Sequence, residues 1–403
     1  TDFVFDYMAP EMATFSISGN TLSMTLVAHR IWAGTDEAHS WDTAVFGSAS
    51  ALPTNAMAIF DDSAANKDVR LAESVSLVAL RFDHSKDYTV TSENGATITT
   101  SAGLNKLGNG ALRIQSDITL GGDVALKGGD VTFEGKTHVA GTTTQTSGTV
   151  TFAGEESHFG NYTISGGTLN VQGGSLSMKH LTAHSSSVQL AVEQGILDSL
   201  HMHSGANITF TKPDDADAVQ YTVNGAIQMA HAWHAAGDLK VAEGVKLTAN
   251  SISVNWGFRS IIADGDVEVK DTMSFGPSTY SSNLLTGLGS FTAHKIHFGV
   301  WSGVIASSDV AELNVTGELN MGNSGHLNLN GGVVNLSGNT IQKQTNTEFT
   351  INGSTVNISG EADFAAGAFN LQGGQLNIIG GTTHISNTVN ATGGELAVSG
   401  GTL

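Results

Sequence analysis

Histidine is the residue type whose number and spacing most suggest chemistry in this sequence. The 403 residues include 15 histidines, and His138, His158, His180 and His201 follow one another at intervals of 20, 22 and 21 residues. This spacing could bring imidazoles together on one side of a repeating structure, where they could bind zinc, nickel or copper. No thiol or paired carboxylate follows at a comparable spacing. We therefore interpret the series as solvated surface histidines and predict no metal-ligating residue.

Two shorter motifs, His201-Met-His203 and His231-Ala-Trp233-His234, bring histidines closer together. In a strand, residues two positions apart face the same side, so His201 and His203 would point in one direction. We give these motifs the same interpretation as the longer series. The same part of the chain contains three tryptophans that we expect to fill the core rather than to stack on sugar rings: Trp233, Trp256 and Trp301.

Acidic residues offer little sign of catalysis. Among polysaccharide-cleaving enzymes on a β-helix, pectate-lyase-like chemistry needs clustered carboxylates for calcium and a basic residue that removes a proton. The sequence has two aspartate doublets, Asp61-Asp62 and Asp214-Asp215, and we interpret both as turn residues. The segment around Gly135 lacks the first glycine of a phosphate loop, and no dinucleotide fingerprint is complete. We therefore predict no catalytic and no cofactor-binding residue, and no cofactor.

The composition predicts a β-rich protein. Only 13% of the residues are charged, and the sequence contains 49 glycines, 4 prolines and no cysteine. Because helix surfaces favour Lys, Glu and Arg, this low charge favours strands and turns. The 17 Lys and Arg residues face 37 Asp and Glu residues, which gives a net charge of −20 and argues against a nucleic-acid partner. No run of 18 apolar residues is present, so we predict no direct membrane insertion of this fragment.

An internal repeat is the clearest feature of the sequence. Gly110, Gly129, Gly148 and Gly167 recur every 19 residues, and each precedes two apolar residues that are separated by one polar residue. The two apolar residues share one strand face, and stacking of successive copies would bury them in columns such as Leu112/Val131/Val150/Leu169. No helical segment separates the copies. We therefore predict an all-β fold, a right-handed parallel β-helix (solenoid) with ~20 residues per turn and roughly 15 turns.

The chain divides into three predicted segments. Residues 1–31 contain a β-hairpin centred on residues 18–21, which we interpret as the end of an upstream β domain. Residues 32–90 form an N-terminal β region that caps or starts the solenoid. Residues 91–403 form the β-helix repeats, with an irregular looped section at about 175–310. The sequence begins without methionine and ends within a repeat, so we expect it to be part of a longer protein.

Short motifs near the start of the solenoid occur in the same order in one known family: Trp32-x-Gly34, Trp41-Asp42, Val45-Phe46, Phe60-Asp61-Asp62, Val69, Leu80-x-Phe82, Tyr88 and Leu104-x-Lys106-x-Gly108-x-Gly110-x-Leu112. Through these motifs the chain resembles autotransporter-associated β-strand repeat proteins. The resemblance covers most of residues 32–403. It implies a passenger region carried to the surface of a Gram-negative bacterium, with the full-length protein linked to an outer-membrane β-barrel.

We therefore expect a surface-displayed or secreted passenger fragment that acts as a non-catalytic structural or adhesive stalk. Its expected partners are glycans or host and cell-surface proteins, and its expected location is the bacterial cell surface or the extracellular space. One alternative stays open: a polysaccharide- or mucin-degrading enzyme built on a β-helix scaffold. An ice- or mineral-binding solenoid would need a flat threonine ladder, which Thr132 and Thr151 begin but Arg113 and Asn170 end.

Overall fold

The computed structural model describes residues 13–18, 21–26, 28–34, 41, 56–229, 237–255, 259–276, 282–298, 305–322 and 325–403. All regular secondary structure in these ranges is β-strand, and no helix occurs in them. The chain forms two compact units, residues 1–178 and 179–403.

Short strands of three to six residues make up most of the first unit, because turns bound each apolar pair. The first nine are β1 (Ala13–Ser18), β2 (Thr21–Leu26), β3 (Ala28–Ile31), β4 (Ala56–Asp61), β5 (Asp68–Leu71), β6 (Val75–Leu77), β7 (Ala79–Asp83), β8 (Tyr88–Ser92) and β9 (Ile98–Thr100). The next nine are β10 (Leu104–Leu107), β11 (Leu112–Ile114), β12 (Ile118–Leu120), β13 (Val124–Leu126), β14 (Val131–Phe133), β15 (Thr137–Gln145), β16 (Thr149–Phe152), β17 (Glu156–Ile164) and β18 (Thr168–Ala183).

Longer strands open the second unit and shorter ones close it. The first eleven are β19 (Ser187–Met202), β20 (Asn207–Thr211), β21 (Val219–Met229), β22 (Gly237–Val241), β23 (Val245–Val254), β24 (Arg259–Ala263), β25 (Asp266–Phe275), β26 (Ser282–Thr286), β27 (Ser290–Phe298), β28 (Ile305–Ser308) and β29 (Glu312–Met321). The last eleven are β30 (His326–Leu329), β31 (Val333–Leu336), β32 (Asn339–Gln342), β33 (Glu348–Ile351), β34 (Thr355–Ile358), β35 (Ala362–Phe364), β36 (Ala368–Leu371), β37 (Gln375–Ile378), β38 (Thr383–Ile385), β39 (Val389–Ala391) and β40 (Glu395–Val398).

The strands stack in parallel from one turn to the next. In the first unit β10 pairs with β7 and β13, β11 with β8 and β14, and β12 with β9 and β15, so three strands complete a turn. In the second unit the strands between β19 and β29 pair in parallel with the strand two further along, and the three-strand succession holds from β31 onward. The turns number about 15 and lie about 21 residues apart, which confirms the predicted parallel β-solenoid. The hand of the coil stays a prediction.

Apolar columns fill the interior of each unit. Leu112, Val131, Val150 and Leu169 are register partners in successive turns, and all four are buried. The polar residue between each apolar pair points outward, as strand alternation requires. The core column predicted from the glycine repeat is therefore confirmed.

The looser sequence pattern at about 175–310 corresponds to longer strands rather than to missing ones. Strands β21, β23, β25 and β27 each run for 9–11 residues across a corner of the solenoid. Their pairing shifts register at that corner, for example between Val223 and Ala226. The corner is made by an irregularity within a strand instead of a separate glycine turn, so the glycine spacing fades while the stacking continues.

An antiparallel hairpin is present among the described residues at the N-terminus, while its assignment to an upstream domain stays a prediction. Strands β1 and β2 pair antiparallel, with Ser18 opposite Thr21. Strand β3 follows directly and pairs in parallel with β4. The first strand of the solenoid therefore begins at Ala28, inside the segment 1–31 that we assigned to the hairpin.

The aromatic residues of the resemblance motifs pack together in the first turns. Phe60 stacks on Phe82 with ring centroids 4.5 Å apart, and Trp32, Trp41 and Tyr88 contact Phe60 at 6.0, 5.2 and 5.7 Å. All five side chains are buried. These motif residues therefore build the core and leave no aromatic surface for a ligand.

Candidate functional site

Lys106 of the resemblance motif lies inside the solenoid. It occupies the interior column between Phe82 and Leu126, and it is fully buried. Its Nζ donates hydrogen bonds to the carbonyl oxygens of Leu107, Gly108 and Gly128, at 2.7, 2.9 and 3.2 Å. Burial lowers the pKa of Lys106 to about 8, while Asp83 and Asp87 act in the opposite direction. Because its three donors are all used by the backbone, the amine is a structural clamp across two turns.

His84 lies close to this lysine and is also enclosed, with 2% of its surface exposed. Its Nδ1 lies 2.6 Å from the carbonyl oxygen of Lys86, and a carbonyl only accepts, so Nδ1 carries the hydrogen. The other ring nitrogen, Nε2, is buried without a hydrogen-bond partner. Burial, together with the charge of Lys106, lowers the pKa of His84 to about 4. The imidazole is therefore neutral near pH 7.

We expect His84 to make the protein less stable as the pH falls from about 6.5 to 4. In this window the unfolded chain binds a proton that the folded chain excludes, because the folded pKa is lowered to about 4. The free energy of unfolding should then fall by roughly 1 kcal/mol per pH unit from this group. Urea unfolding of wild type and His84→Phe at pH 7, 6, 5 and 4 measures the difference in slope.

The control for this measurement is His158→Phe, which removes an exposed imidazole instead of a buried one. The slope should be flatter for His84→Phe than for this control, because only His84→Phe removes the buried imidazole. Equal slopes for wild type and His84→Phe would show that His84 takes up its proton equally in both states.

The aspartate doublet at 61–62 serves backbone turns, as we interpreted it. The Asp62 carboxylate accepts hydrogen bonds from Ser85 Oγ at 2.8 Å and from the Ser85 amide at 3.0 Å. These bonds lower the pKa of Asp62. Asp61 accepts from the Ser63 amide at 2.8 Å. The second doublet, Asp214-Asp215, lies exposed in a turn.

An open groove of about 510 Å³ runs across four neighbouring turns of the first unit. We call it the histidine groove, and nine residues line it: Thr97, Asp117, Ile118, Thr119, Lys136, Thr137, His138, Glu156 and His158. Thr119, His138 and His158 are register partners on β12, β15 and β17. The stacking of the turns therefore brings together two residues of the predicted histidine series.

The charged residues of the histidine groove already contact one another. Lys136 Nζ lies 3.3 Å from the Glu156 carboxylate and 3.5 Å from Glu155. The hydrogen bond to Glu156 raises the pKa of Lys136. The Asp117 carboxylate accepts from the Lys136 amide at 2.8 Å. The groove is thus polar, mixed in charge and held on rigid strands, which suits hydrogen bonding to a polar ligand better than proton transfer.

The histidines of the second unit are arranged differently. His180 Nδ1 lies 2.8 Å from Ser199 Oγ, and His201 has Gln228 as its register partner in the following turn. His184 and His203 stack with ring centroids 4.0 Å apart. No group of three or more His, Asp or Glu side chains in the described ranges could hold a metal ion. The other residues singled out in the sequence lie outside the described residues: His231, Trp233, His234, Trp256 and Trp301.

An asparagine ladder crosses four turns of the second unit. Asn314, Asn335, Asn357 and Asn377 are register partners. Each later amide nitrogen donates to the side-chain oxygen of the one before, at 2.8, 2.9 and 3.0 Å. The repeat pattern predicts an outward-facing polar residue between each apolar pair, but it does not predict the ladder. The ladder could have been found from the recurrence of asparagine at the same repeat position, because stacked turns place such asparagines within hydrogen-bond distance of one another.

No known family, curated protein or solved structure matches this chain. Among the residues described here, the structure contains no helix long and apolar enough to cross a membrane.

Proposed function

We propose that this chain is a surface-displayed or secreted passenger fragment of the autotransporter type, acting as a non-catalytic structural and adhesive stalk. The observation that carries the proposal is the parallel stacking of about 15 turns over closed apolar columns. A solenoid of this kind presents polar side chains at fixed spacings on its outer faces. The proposed location is the surface of a Gram-negative bacterium or its surroundings.

The histidine groove is the proposed contact surface within the first unit. Hydroxyl, imidazole, ammonium and carboxylate groups alternate there on neighbouring turns. Glycans offer hydroxyl groups that both donate and accept hydrogen bonds, so a mixed set of this kind suits them. We therefore propose glycans on host or bacterial surfaces as the ligands, and proteins of those surfaces as the second class of partner.

The proposal is tested by binding of the labelled chain to a glycan array and to epithelial cells. We expect saturable binding to at least one glycan, reduced about tenfold in Thr119→Arg because the long side chain fills the groove. Thr144→Arg is the matched control. It adds the same charge at another exposed threonine of the first unit, outside the groove, and should bind like wild type.

Absence of binding to every glycan and cell surface would contradict an adhesive role. Equal loss in Thr119→Arg and Thr144→Arg would remove the groove as the contact surface while leaving adhesion in place.

The alternative function, a polysaccharide- or mucin-degrading enzyme, draws on two carboxylates of the same groove, Asp117 and Glu156. Release of reducing sugar from mucin or plant polysaccharide, abolished in Glu156→Gln, would favour it. Glu134→Gln is the matched control, since Glu134 pairs with Arg113 outside the groove. We expect no release from wild type, because Glu156 already pairs with the Lys136 ammonium and Asp117 already accepts a hydrogen bond from the Lys136 backbone amide.

A further inference from the structure

Two imidazoles of the histidine groove are held next to each other by the core beneath them. His138 on β15 and His158 on β17 are register partners in adjacent turns. The residues following them, Val139 and Phe159, are buried and are also register partners. Both rings therefore project into solvent from backbone positions that packing fixes, with ring centroids 5.9 Å apart and ring planes inclined at 56°.

This inclination is compatible with chelation of one metal ion. A metal bound to an imidazole nitrogen lies about 2.0–2.1 Å from that nitrogen, close to the ring plane. Two imidazoles can therefore share an ion only where their planes meet. Planes inclined at 56° intersect, and rotation of the two exposed side chains can bring one nitrogen of each ring to that intersection. The sheet supplies the fixed spacing that such a pair needs.

His184 and His203 provide the contrasting case in the second unit. Their ring planes are inclined by only 8° and their centroids lie 4.0 Å apart, so the rings lie face to face. Nearly parallel planes do not meet at a point that both nitrogens can reach. Proximity of two histidines is therefore not enough, and this stacked pair should not chelate as it stands.

The charge around the first pair also suits a cation. Asp117, Glu155 and Glu156 surround Lys136, whose ammonium pairs with both glutamates. Three carboxylates against one ammonium leave the groove negative. The positive charge of Lys136 is thus offset by the carboxylates around it, and a divalent cation would be attracted rather than repelled.

We propose that His138 and His158 form a two-imidazole chelate for one divalent transition-metal ion. The class is set by the ligands: neutral imidazoles suit Cu²⁺, Ni²⁺ and Zn²⁺, and the usual order of affinities makes Cu²⁺ the tightest. Water completes the coordination. Mg²⁺ prefers oxygen ligands and should not occupy the pair.

The experiment titrates the full chain, stripped of metal with a chelator, with Cu²⁺ alone and with Mg²⁺ alone, by calorimetry. We expect wild type to bind one equivalent of Cu²⁺ at this pair. The variants His138→Ala and His158→Ala should each bind that equivalent more than about tenfold more weakly. Electron spin-echo spectra of the copper complex should show modulation from two imidazoles in wild type, reduced to at most one in each variant. Both side chains are exposed, so circular dichroism should show unchanged folding.

His184→Ala is the matched control and should retain the wild-type stoichiometry and two-imidazole spectrum. The proposal is overturned if the His138→Ala and His158→Ala variants bind Cu²⁺ like wild type. It is also overturned if His184→Ala removes the same equivalent, or if the spectrum never shows two imidazoles. None of these outcomes depends on glycan binding, so failure here leaves the adhesion test unaffected.

Discussion

Replacement of Gly148 by alanine is expected to destabilise the solenoid by more than about 3 kcal/mol. Gly148 has a φ of 75°, in the left-handed region that costs an L-residue about 1–2 kcal/mol. A Cβ at this position would also lie 2.0 Å from the carbonyl oxygen of Gly129 in the preceding turn. That oxygen belongs to backbone fixed by its own stacking, so the two turns would have to separate.

Gly95→Ala is the matched control for this substitution. Gly95 has nearly the same φ, 72°, but a Cβ there meets nothing within 4 Å. Its replacement by alanine should therefore lower the free energy of unfolding by only about 1–2 kcal/mol, which is what an L-residue costs at this positive φ. Urea unfolding followed by circular dichroism measures both variants. If Gly148→Ala lost no more stability than Gly95→Ala, close contact between turns would not be what the repeat glycine provides.

The fold could be predicted from the sequence because the patterns that specify it are local and repeated. An apolar pair separated by one polar residue fixes which side of a strand is buried, and a constant period fixes which strands become neighbours. These two patterns are sufficient to predict that Leu112 and Val131 lie in one buried column. The same alternation turns Lys106 inward, because it lies two residues after Leu104, but nothing in the sequence indicates that a charged side chain would be accepted there. Two of the carbonyl oxygens that receive its hydrogen bonds belong to the residues directly after it, Leu107 and Gly108, and folding brings the third, that of Gly128, from the next turn.

The histidine series was harder to predict because turn length varies along the chain. His138 and His158 lie 20 residues apart, which matches the local turn, and they become partners. His201 instead pairs with Gln228, 27 residues later, because a longer connection at 212–218 extends that turn. Two histidines about 20 residues apart are therefore predicted to be neighbours only where one turn of the solenoid also contains about 20 residues. The inclination of two rings depends on rotamers, which no spacing reveals.

Lys106→Met is expected to lower the free energy of unfolding by about 2–4 kcal/mol at pH 7. Methionine has a similar length and restores apolar packing between Phe82 and Leu126, but it donates no hydrogen bond. The carbonyl oxygens of Leu107, Gly108 and Gly128 then lose the amine they share, and that of Gly128 is left in the interior. Each buried polar group left unpaired costs about 1–3 kcal/mol, partly offset because the charge no longer has to be buried.

Lys127→Met is the matched control, because Lys127 lies exposed in the next turn and should change stability by less than about 0.5 kcal/mol. A second measurement uses the lysine's own titration. Its folded pKa is about 8, below the ordinary 10.5, so between these values the unfolded chain holds a proton that the folded chain has released. Wild type should therefore gain stability over Lys106→Met as the pH rises from 8 to 10, by about 1 kcal/mol per unit. Equal stability of the two proteins at pH 7, together with a constant difference up to pH 10, would show that Lys106 neither clamps the turns nor titrates in the core.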